Sequence, residues 1–364
     1  MGNIQKLMKN SSILVSGMAL SLLWGLSSCV MSDTVEPVSE SGSKQTVVLD
    51  LTAPEALTTR ADNDHVLRFT AKLFEGTGNS VDNKTMQRKE LIQGEEGEAG
   101  VVDQIIFELA AGKSYTVQVF ADYVPKANKG LADDGGYKDE YYNTRSQDRY
   151  YTMLATPQNT NSRDLSLKFF NNDNYDCFSY GEKGVKGETA NIHKMVLTRS
   201  VAKVRVVDST NTPGEFGVKI SSFKHVYQLV QGDEKTASVP VSFTANNLEL
   251  YNSKSLAPDE KGETELFYYY TFGTPNDPTG IKNDFTFTLT GPTGKTETYE
   301  ARNVPVQPNY ITKVKGDFFS NVTDTEPEGP GEDPGVDPTA GNIILNISLS
   351  NEDWNAESKE WNYQ

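Results

Sequence analysis

Apolar and polar side chains alternate along most of the chain after residue 65, with the period of two that is typical of half-buried β-strands. In the first long example the apolar residues are every second one, Leu67, Phe69, Ala71 and Leu73. We predict strands at residues 46–51, 66–73, 101–109, 115–123, 165–170, 195–207, 218–230, 238–245, 265–272, 284–290 and 296–304. No segment has the three-to-four-residue apolar repeat for long enough to predict a helix. The predicted fold class is therefore all-β, with sandwich-like domains.

Turn and loop signals divide these strands. Residues 291–294 (Gly-Pro-Thr-Gly) separate two alternating runs and predict a hairpin. Residues 125–149 are polar and rich in Gly and Asp, so we interpret them as an exposed insert. With a boundary near residues 188–194, we predict an N-terminal sandwich domain at 46–190 and a C-terminal one at 191–321.

The C-terminal part of the chain, residues 322–364, differs from the domains. Residues 323–340 hold four Pro and three Gly among acidic residues, which predicts an extended linker that reaches roughly 55 Å at about 3.1 Å per residue. After it, one face of a predicted strand carries four aliphatic side chains, Ile343, Leu345, Ile347 and Leu349. Two alternatives follow: the strand folds back as an edge strand of its own domain, or it is donated to a neighbouring molecule.

The N-terminus has the features of an export signal. Lys6 and Lys9 precede an apolar run at residues 13–26 that is short for a membrane span. Leu26-Ser27-Ser28-Cys29 resembles the lipobox of bacterial lipoproteins, in which the Cys receives a diacylglycerol. We therefore predict a signal peptide at 1–28, lipidation of Cys29 and a flexible tether at 29–45. The alternative is an ordinary secretory signal.

The net charge and the cysteine content argue against a nucleic-acid-binding protein and against a disulfide-stabilised fold. The formal net charge of the 364 residues is −16, and loss of Lys6 and Lys9 with the signal makes it −18. So acidic a protein repels nucleic acid, which we exclude as a partner. Only Cys177 remains beside Cys29, so no disulfide is predicted.

The segment between the first two predicted strands contains one Arg and no Lys; this residue, Arg60, is followed by Ala61. A trypsin-like protease that cut after Arg60 would detach the lipid together with the strand at 46–51, because exposed loops are where proteolytic nicking occurs. The groove left behind could be filled by the C-terminal strand. The alternative is that Arg60 is an ordinary loop residue.

Signals for chemistry are weak. His65, His193 and His225 are scattered, and no nucleophile motif is present, so we predict no enzyme and no cofactor or metal. The Asp and Asn residues at 133–134 and 171–176 do not match a calcium loop.

The most promising ligand surface in the sequence is a set of tyrosines in and just after the polar insert, because tyrosine suits sugar and protein surfaces. The set consists of Tyr137, Tyr141, Tyr142, Tyr150 and Tyr151. The alternative is that these side chains cover strand edges.

Taken together, the lipobox, the short strand, Thr59-Arg60-Ala61, the two β-domains and the strand-forming tail resemble the fimbrillin-type pilins of Bacteroidales. Residues 197–204 resemble the strand that opens the second domain in that family, and residues 304–317 its closing strand. The resemblance implies two tandem transthyretin-like β-sandwiches, export as a lipoprotein, cleavage after Arg60 and polymerisation by strand exchange.

The predicted function is therefore a structural subunit of a cell-surface fimbria that supports adhesion. Its partners would be other pilin subunits in a homo- or hetero-polymer, a trypsin-like processing protease, and the outer membrane through the lipid before processing. The alternative is a monomeric outer-membrane surface lipoprotein that binds glycan or host protein through the tyrosine set.

Overall fold

The structure is a computed structural model. It describes residues 44–53, 63–76, 87–97, 100–145, 151–154, 170–186, 191–226, 228–230, 240–243, 248–272, 282–323 and 346–350. Residues from Gly42 onward form one compact unit. The described part of the chain consists mainly of β-strands, which confirms the predicted all-β fold class. No helix within it has the length and apolar character needed to cross a membrane.

A three-stranded and a five-stranded sheet form the first half of this unit. The three-stranded sheet has the order β4-β1-β9, with β1 at Lys44–Thr52, β4 at Gln104–Ala110 and β9 at Asn191–Val196. The five-stranded sheet has the order β10-β8-β5-β2-β3, with β2 at His65–Glu75, β3 at Gln87–Ile92, β5 at Ser114–Pro125, β8 at Cys177–Lys186 and β10 at Thr198–Arg199. Side chains from both sheets share one apolar core.

A four-stranded and a five-stranded sheet form the second half. The first has the order β16-β11-β19-β20, with β11 at Val201–Asp208, β16 at Thr264–Phe272, β19 at Ile311–Gly316 and β20 at Asn346–Ser350. The second sheet has the order β14-β12-β17-β18, and β15 also pairs with β12. Its strands are β12 at Gly214–Val226, β14 at Pro240–Phe243, β15 at Leu248–Leu256, β17 at Lys282–Thr290 and β18 at Thr296–Pro305. A second apolar core lies between them.

Smaller elements complete the described chain. A three-stranded ribbon has the order β13-β7-β6, with β6 at Tyr142–Asn143, β7 at Tyr151–Leu154 and β13 at Gln228–Val230. Short helical turns lie at Lys126–Asn128, Asp173–Tyr175 and Ser320–Thr323.

The predicted hairpin is present between β17 and β18. The Gly291 N–H donates to the Lys295 carbonyl at 2.9 Å, and the Gly294 N–H donates to the Gly291 carbonyl at 3.0 Å. Gly294 has φ +83°, a left-handed conformation that glycine adopts without strain. Gly291 packs so closely on the Val322 carbonyl that a Cβ there would collide with it.

The chain passes from the first half to the second between Arg199 and Val201. β9, which the sequence analysis placed in the C-terminal domain, pairs with β1 in the first half, because Met195 and Leu197 are buried in the first core. The predicted limits of the two domains, residues 46–190 and 191–321, stay predictions. The halves are in direct contact, since the Tyr142 ring packs on Phe120 of β5 at 5.2 Å and on Phe272 of β16 at 6.0 Å.

Candidate functional site

β1 is the central strand of its sheet and has a partner on each side. It runs antiparallel to β4, with Val47 opposite Phe107 and Leu49 opposite Ile105. It runs parallel to β9, where Leu51 pairs with Met195. Backbone groups on both edges of β1 are therefore used in strand pairing.

The inward face of β1 is apolar and completely covered. Val47 and Leu49 are 0% exposed and Leu51 is 4% exposed. Burial of each such side chain stabilises the fold by about 1.5–3 kcal/mol. If β1 left, its sheet would hold a slot with three apolar pockets and unpaired backbone groups on both sides. We call this the β1 slot.

β1 lies at the N-terminal end of the described chain. β1 is the first strand of the described chain and ends at Thr52, whereas β2 begins at His65 in the opposite sheet. Arg60 and Ala61, the predicted cleavage residues, lie between these strands but outside the described residues, as does Cys29. After a cut at Arg60, only strand pairing and burial would hold β1 in place.

β20, the second half of the predicted donor segment, is paired within its own molecule. It runs antiparallel to β19 at the sheet edge, with Ile347 opposite Val314 and Leu349 opposite Thr312. Of the two sequence alternatives, the structure has the tail as an edge strand of its own body. Ile343 and Leu345 lie outside the described residues. β20 thus has one neighbouring strand, whereas β1 has two.

β19 is also anchored independently of β20, through Glu263, the residue just before β16. The Nζ atoms of Lys313 and Lys315 each lie 2.9 Å from a Glu263 oxygen. Burial disfavours ionisation of Glu263, but hydrogen bonds and attraction from the two lysines outweigh it and lower the pKa to about 2. The edge that receives β20 is therefore held to its sheet by charged contacts.

Three members of the tyrosine set are buried, so the prediction of an exposed ligand surface does not hold for these three. Tyr137, Tyr141 and Tyr142 are only 8%, 7% and 0% exposed. Tyr141 packs on Tyr175 at 4.8 Å, and the Tyr142 hydroxyl donates to the Tyr175 carbonyl. The rings of Tyr141 and Tyr142 fill the junction between the two halves, whereas Tyr137 packs with Ile92 and Val124. Tyr150 and the side chain of Tyr151 lie outside the described residues.

A buried charge cluster, which the sequence analysis missed, orders the described part of the polar insert. Arg68 of β2 contacts Asp122 at 2.8 Å, Asp139 at 2.8 Å and Glu90 at 3.2 Å. It also donates to the Tyr137 carbonyl at 3.1 Å. The only sequence signal for this cluster is an arginine in the middle of an apolar strand.

The outward face of β2 is covered as well as its inward face. The sequence predicts a half-buried strand, but Arg68, Thr70 and Lys72 are buried as well. Burial raises the pKa of Asp122 to about 6 although Arg68 acts in the opposite direction, so the carboxylate is ionised at neutral pH.

Comparison with known proteins assigns a family. The chain matches, over residues 39–358, a family of unknown function, DUF6562. The chain belongs to this family. No curated protein sequence matches it.

Several solved structures resemble this DUF6562 member. The fimbrial anchor protein Mfa2 from Porphyromonas gingivalis is 9% identical, with a TM-score of 0.42 over 88% of this chain and 99% of that one. The tip fimbrial protein Mfa3 from the same organism is 12% identical, with a TM-score of 0.36 over 84% and 99%. A fimbrial assembly protein from Parabacteroides distasonis is 13% identical, with a TM-score of 0.35 over 87% and 98%. These three solved structures are of fimbrial proteins, as are the pilins named in the sequence resemblance.

The remaining candidate residues of this DUF6562 member make structural contacts. Asp173 accepts from the Tyr270 hydroxyl at 2.8 Å and contacts the Lys203 ammonium at 3.0 Å. His193 Nδ1 lies 2.8 Å from a Glu182 oxygen. Across the described residues, no three His, Cys, Asp or Glu side chains are grouped as they would be around a metal ion. The thiol of Cys177 is buried and not in a disulfide, and burial raises its pKa.

Proposed function

We propose that this chain is a structural subunit of a cell-surface fimbria. It is exported as a lipoprotein on Cys29, cut after Arg60 by a trypsin-like protease, and polymerised by donation of its C-terminal strand. The polymer supports adhesion, and its subunits contact other pilins, and the outer membrane through the lipid before processing. It has no catalytic role.

The observation that carries the proposal is the position of β1. A strand in the middle of a sheet normally cannot leave without unfolding the protein. β1 is an exception because it precedes every other described strand and is joined to β2 by the segment that contains Arg60. One cut turns it into a separate peptide, and its departure creates the β1 slot without breaking the chain of the body.

The tail gains contacts when it moves from β19 to the β1 slot. In its own molecule, β20 pairs along one edge through five residues. The slot offers pairing on two edges and pockets for three aliphatic side chains. Strand addition to a sheet obtains affinity from main-chain hydrogen bonds and specificity from alternate side-chain pockets, and the β1 slot offers both to the tail.

The monomeric lipoprotein with a tyrosine-lined ligand surface is not supported by any described feature. Three of its five proposed contact residues are buried. We therefore retain the fimbrial subunit as the single proposed function.

The test is processing of the folded precursor by a trypsin-like protease in a short time course, followed by N-terminal sequencing and size-exclusion chromatography. We expect Ala61 as the new N-terminus and a ladder of multimers. Arg60→Gln should stay uncut and monomeric, whereas Arg302→Gln, which changes an exposed arginine of β18, should behave like the parent. A processed chain that stays monomeric at high concentration would overturn the proposal.

A further inference from the structure

A seven-residue pattern of β1 recurs in the tail. Residues 46–52 are Thr-Val-Val-Leu-Asp-Leu-Thr, and residues 342–348 are Asn-Ile-Ile-Leu-Asn-Ile-Ser. The first, fifth and seventh positions are polar in both segments, and the other four positions are aliphatic in both. The third position is informative, because a simple alternating strand has a polar residue there, whereas β1 has Val48 and the tail has Ile344.

The structure explains why the third position is aliphatic. Val48 lies on the outward face of β1, directly opposite Ile106 of β4 and beside Ile192 of β9. Each of the three strands thus contributes one aliphatic side chain to a row across the outer face. Cross-strand contacts between aliphatic side chains of this kind stabilise a sheet. β4 has the same pattern at residues 104–110, Gln-Ile-Ile-Phe-Glu-Leu-Ala.

The strand that neighbours the tail in its own molecule does not share this pattern. The described pairing of β20 with β19 runs from residue 346 to residue 350, and residues 342–345 lie outside the described residues. β19 itself has the sequence Ile-Thr-Lys-Val-Lys-Gly, which lacks adjacent aliphatic residues. The tail therefore has the side-chain pattern of β1 and β4 rather than that of its present neighbour.

We propose that residues 342–348 of a second copy of this chain occupy the β1 slot in the register of residues 46–52. The proposal rests on the proposed function, because β1 must first leave. The partner is a second copy of this chain because each copy carries both the slot and the strand that matches it. The equivalent positions are Ile343 for Val47, Ile344 for Val48, Leu345 for Leu49 and Ile347 for Leu51.

This register differs from the one that places Leu345, Ile347 and Leu349 in the three pockets. A slip of two residues keeps the same face inward, so both registers bury aliphatic side chains. The slipped register, however, puts the Asn346 amide between Ile106 and Ile192 and leaves Ile344 outside that row. The unslipped register keeps the row aliphatic.

Disulfide trapping separates the two registers. Residues directly opposite in antiparallel strands are close enough for a disulfide, and Val48 is opposite Ile106. One full-length precursor carries Ile106→Cys and a second carries Ile344→Cys or Asn346→Cys, all in a Cys29→Ser background. The two precursors are mixed, processed together, oxidised and analysed on a non-reducing gel, with the crosslinked peptides identified by mass spectrometry.

We expect at least a tenfold excess of the covalent dimer with Ile344→Cys over that with Asn346→Cys. A second acceptor, Ile192→Cys, repeats the measurement from the other edge of the slot, and its 57% exposed side chain makes this change mild for folding. A dominant crosslink through Asn346→Cys would overturn the register. If the parent chain forms multimers but neither Ile106→Cys nor Ile192→Cys gives a crosslink to Ile344→Cys or Asn346→Cys, the β1 slot is not the acceptor. A processed parent chain that does not assemble would instead overturn the proposed function.

Discussion

Arg68 of β2 and Asp122 of β5 form an ion pair that is completely buried. Arg68 Nη2 lies 2.8 Å from Asp122 Oδ2, and Nε lies 3.0 Å from Oδ1. Neither side chain is exposed, and the two residues are directly opposite each other in the sheet. Because Arg68 also binds the Tyr137 carbonyl, this pair connects two strands of the sheet to the polar insert.

The first prediction concerns this pair. Arg68→Ala should lower the free energy of unfolding by about 3–5 kcal/mol, because it leaves the Asp122 carboxylate buried without its partner. Urea unfolding measures the loss, and limited proteolysis should show earlier cleavage within residues 126–145. The control is Lys113→Ala, which removes an exposed ion pair with Glu75 and should cost less than about 1 kcal/mol. Equal effects of the two changes would contradict the prediction.

The strands were predictable from the sequence, but their neighbours were not. Alternation identifies β2, β5, β16 and β17 because each has an apolar face toward a core. It does not tell which strands pair, so the position of β1 between β4 and β9 became visible only in the structure. The parallel pairing of β1 with β9 joins residues more than 140 positions apart in sequence. Periodicity within a single strand carries no information about such a contact.

The tyrosine set shows a second limit. A polar, glycine-rich segment predicts an exposed loop, and tyrosines in such a loop predict a contact surface. The segment is instead held by Arg68, whose partners lie on β3, β5 and the insert. The rings of Tyr141 and Tyr142 then pack on Tyr175 and Phe120. Each of these contacts is long-range, and composition cannot reveal it.

The second prediction concerns the inward face of β1. Leu49→Ala should destabilise the uncut precursor by about 2–5 kcal/mol, because it removes a fully buried side chain and leaves a cavity. Asp50→Ala, which changes the half-exposed neighbour, should change stability by no more than about 0.5 kcal/mol. Urea unfolding gives both values. If Leu49→Ala were as mild as Asp50→Ala, the inward packing of β1 would be refuted.

The third prediction concerns the pH dependence of the contacts on β19. The pKa of Glu263 is about 2 in the folded protein, below its ordinary value of 4.5, so the folded state binds fewer protons between these values. Its stabilising effect is complete above about pH 4.5 and is lost as the pH falls toward 2. Glu263→Gln should therefore be less stable than the parent at pH 7, and the difference should shrink at pH 3. Urea unfolding at the two pH values tests this; a constant difference would contradict it.

The fourth prediction concerns Asp208, which anchors the end of the body just before the linker. One of its oxygens accepts the N–H groups of Phe318 at 2.6 Å and Phe319 at 2.9 Å. Asp208→Ala leaves these buried donors unpaired and should cost about 1–3 kcal/mol for each N–H that finds no other partner. Thermal or urea unfolding measures the loss. Asp259→Ala removes a carboxylate that also accepts two N–H groups, but in an exposed turn, and should cost less.

The fifth prediction concerns the edge of β19, where hydrogen exchange reports the position of the tail. In the uncut precursor, amides of Ile311–Gly316 that face β20 should be protected from exchange. A chain that ends at Thr339 should lose this protection, while β11, on the other side of β19, keeps its own. Mass spectrometry of the two proteins measures the difference. Unchanged exchange in the truncated chain would show that β20 does not cover this edge.

The same amides distinguish two ways of building a polymer. If the tail of each subunit enters the β1 slot of the next, it must leave β19, and the amides of Ile311–Gly316 should exchange in the multimer as fast as in the truncated chain. If neighbouring subunits instead trade tails across β19, that edge stays covered and these amides remain as slow as in the precursor. Hydrogen exchange of peptides from β4 and β9 is the matching measurement. After β1 has left, the amides of these strands stay protected only if another strand fills the slot. Fast exchange on β19 together with slow exchange on β4 and β9 is therefore the pattern that strand donation requires.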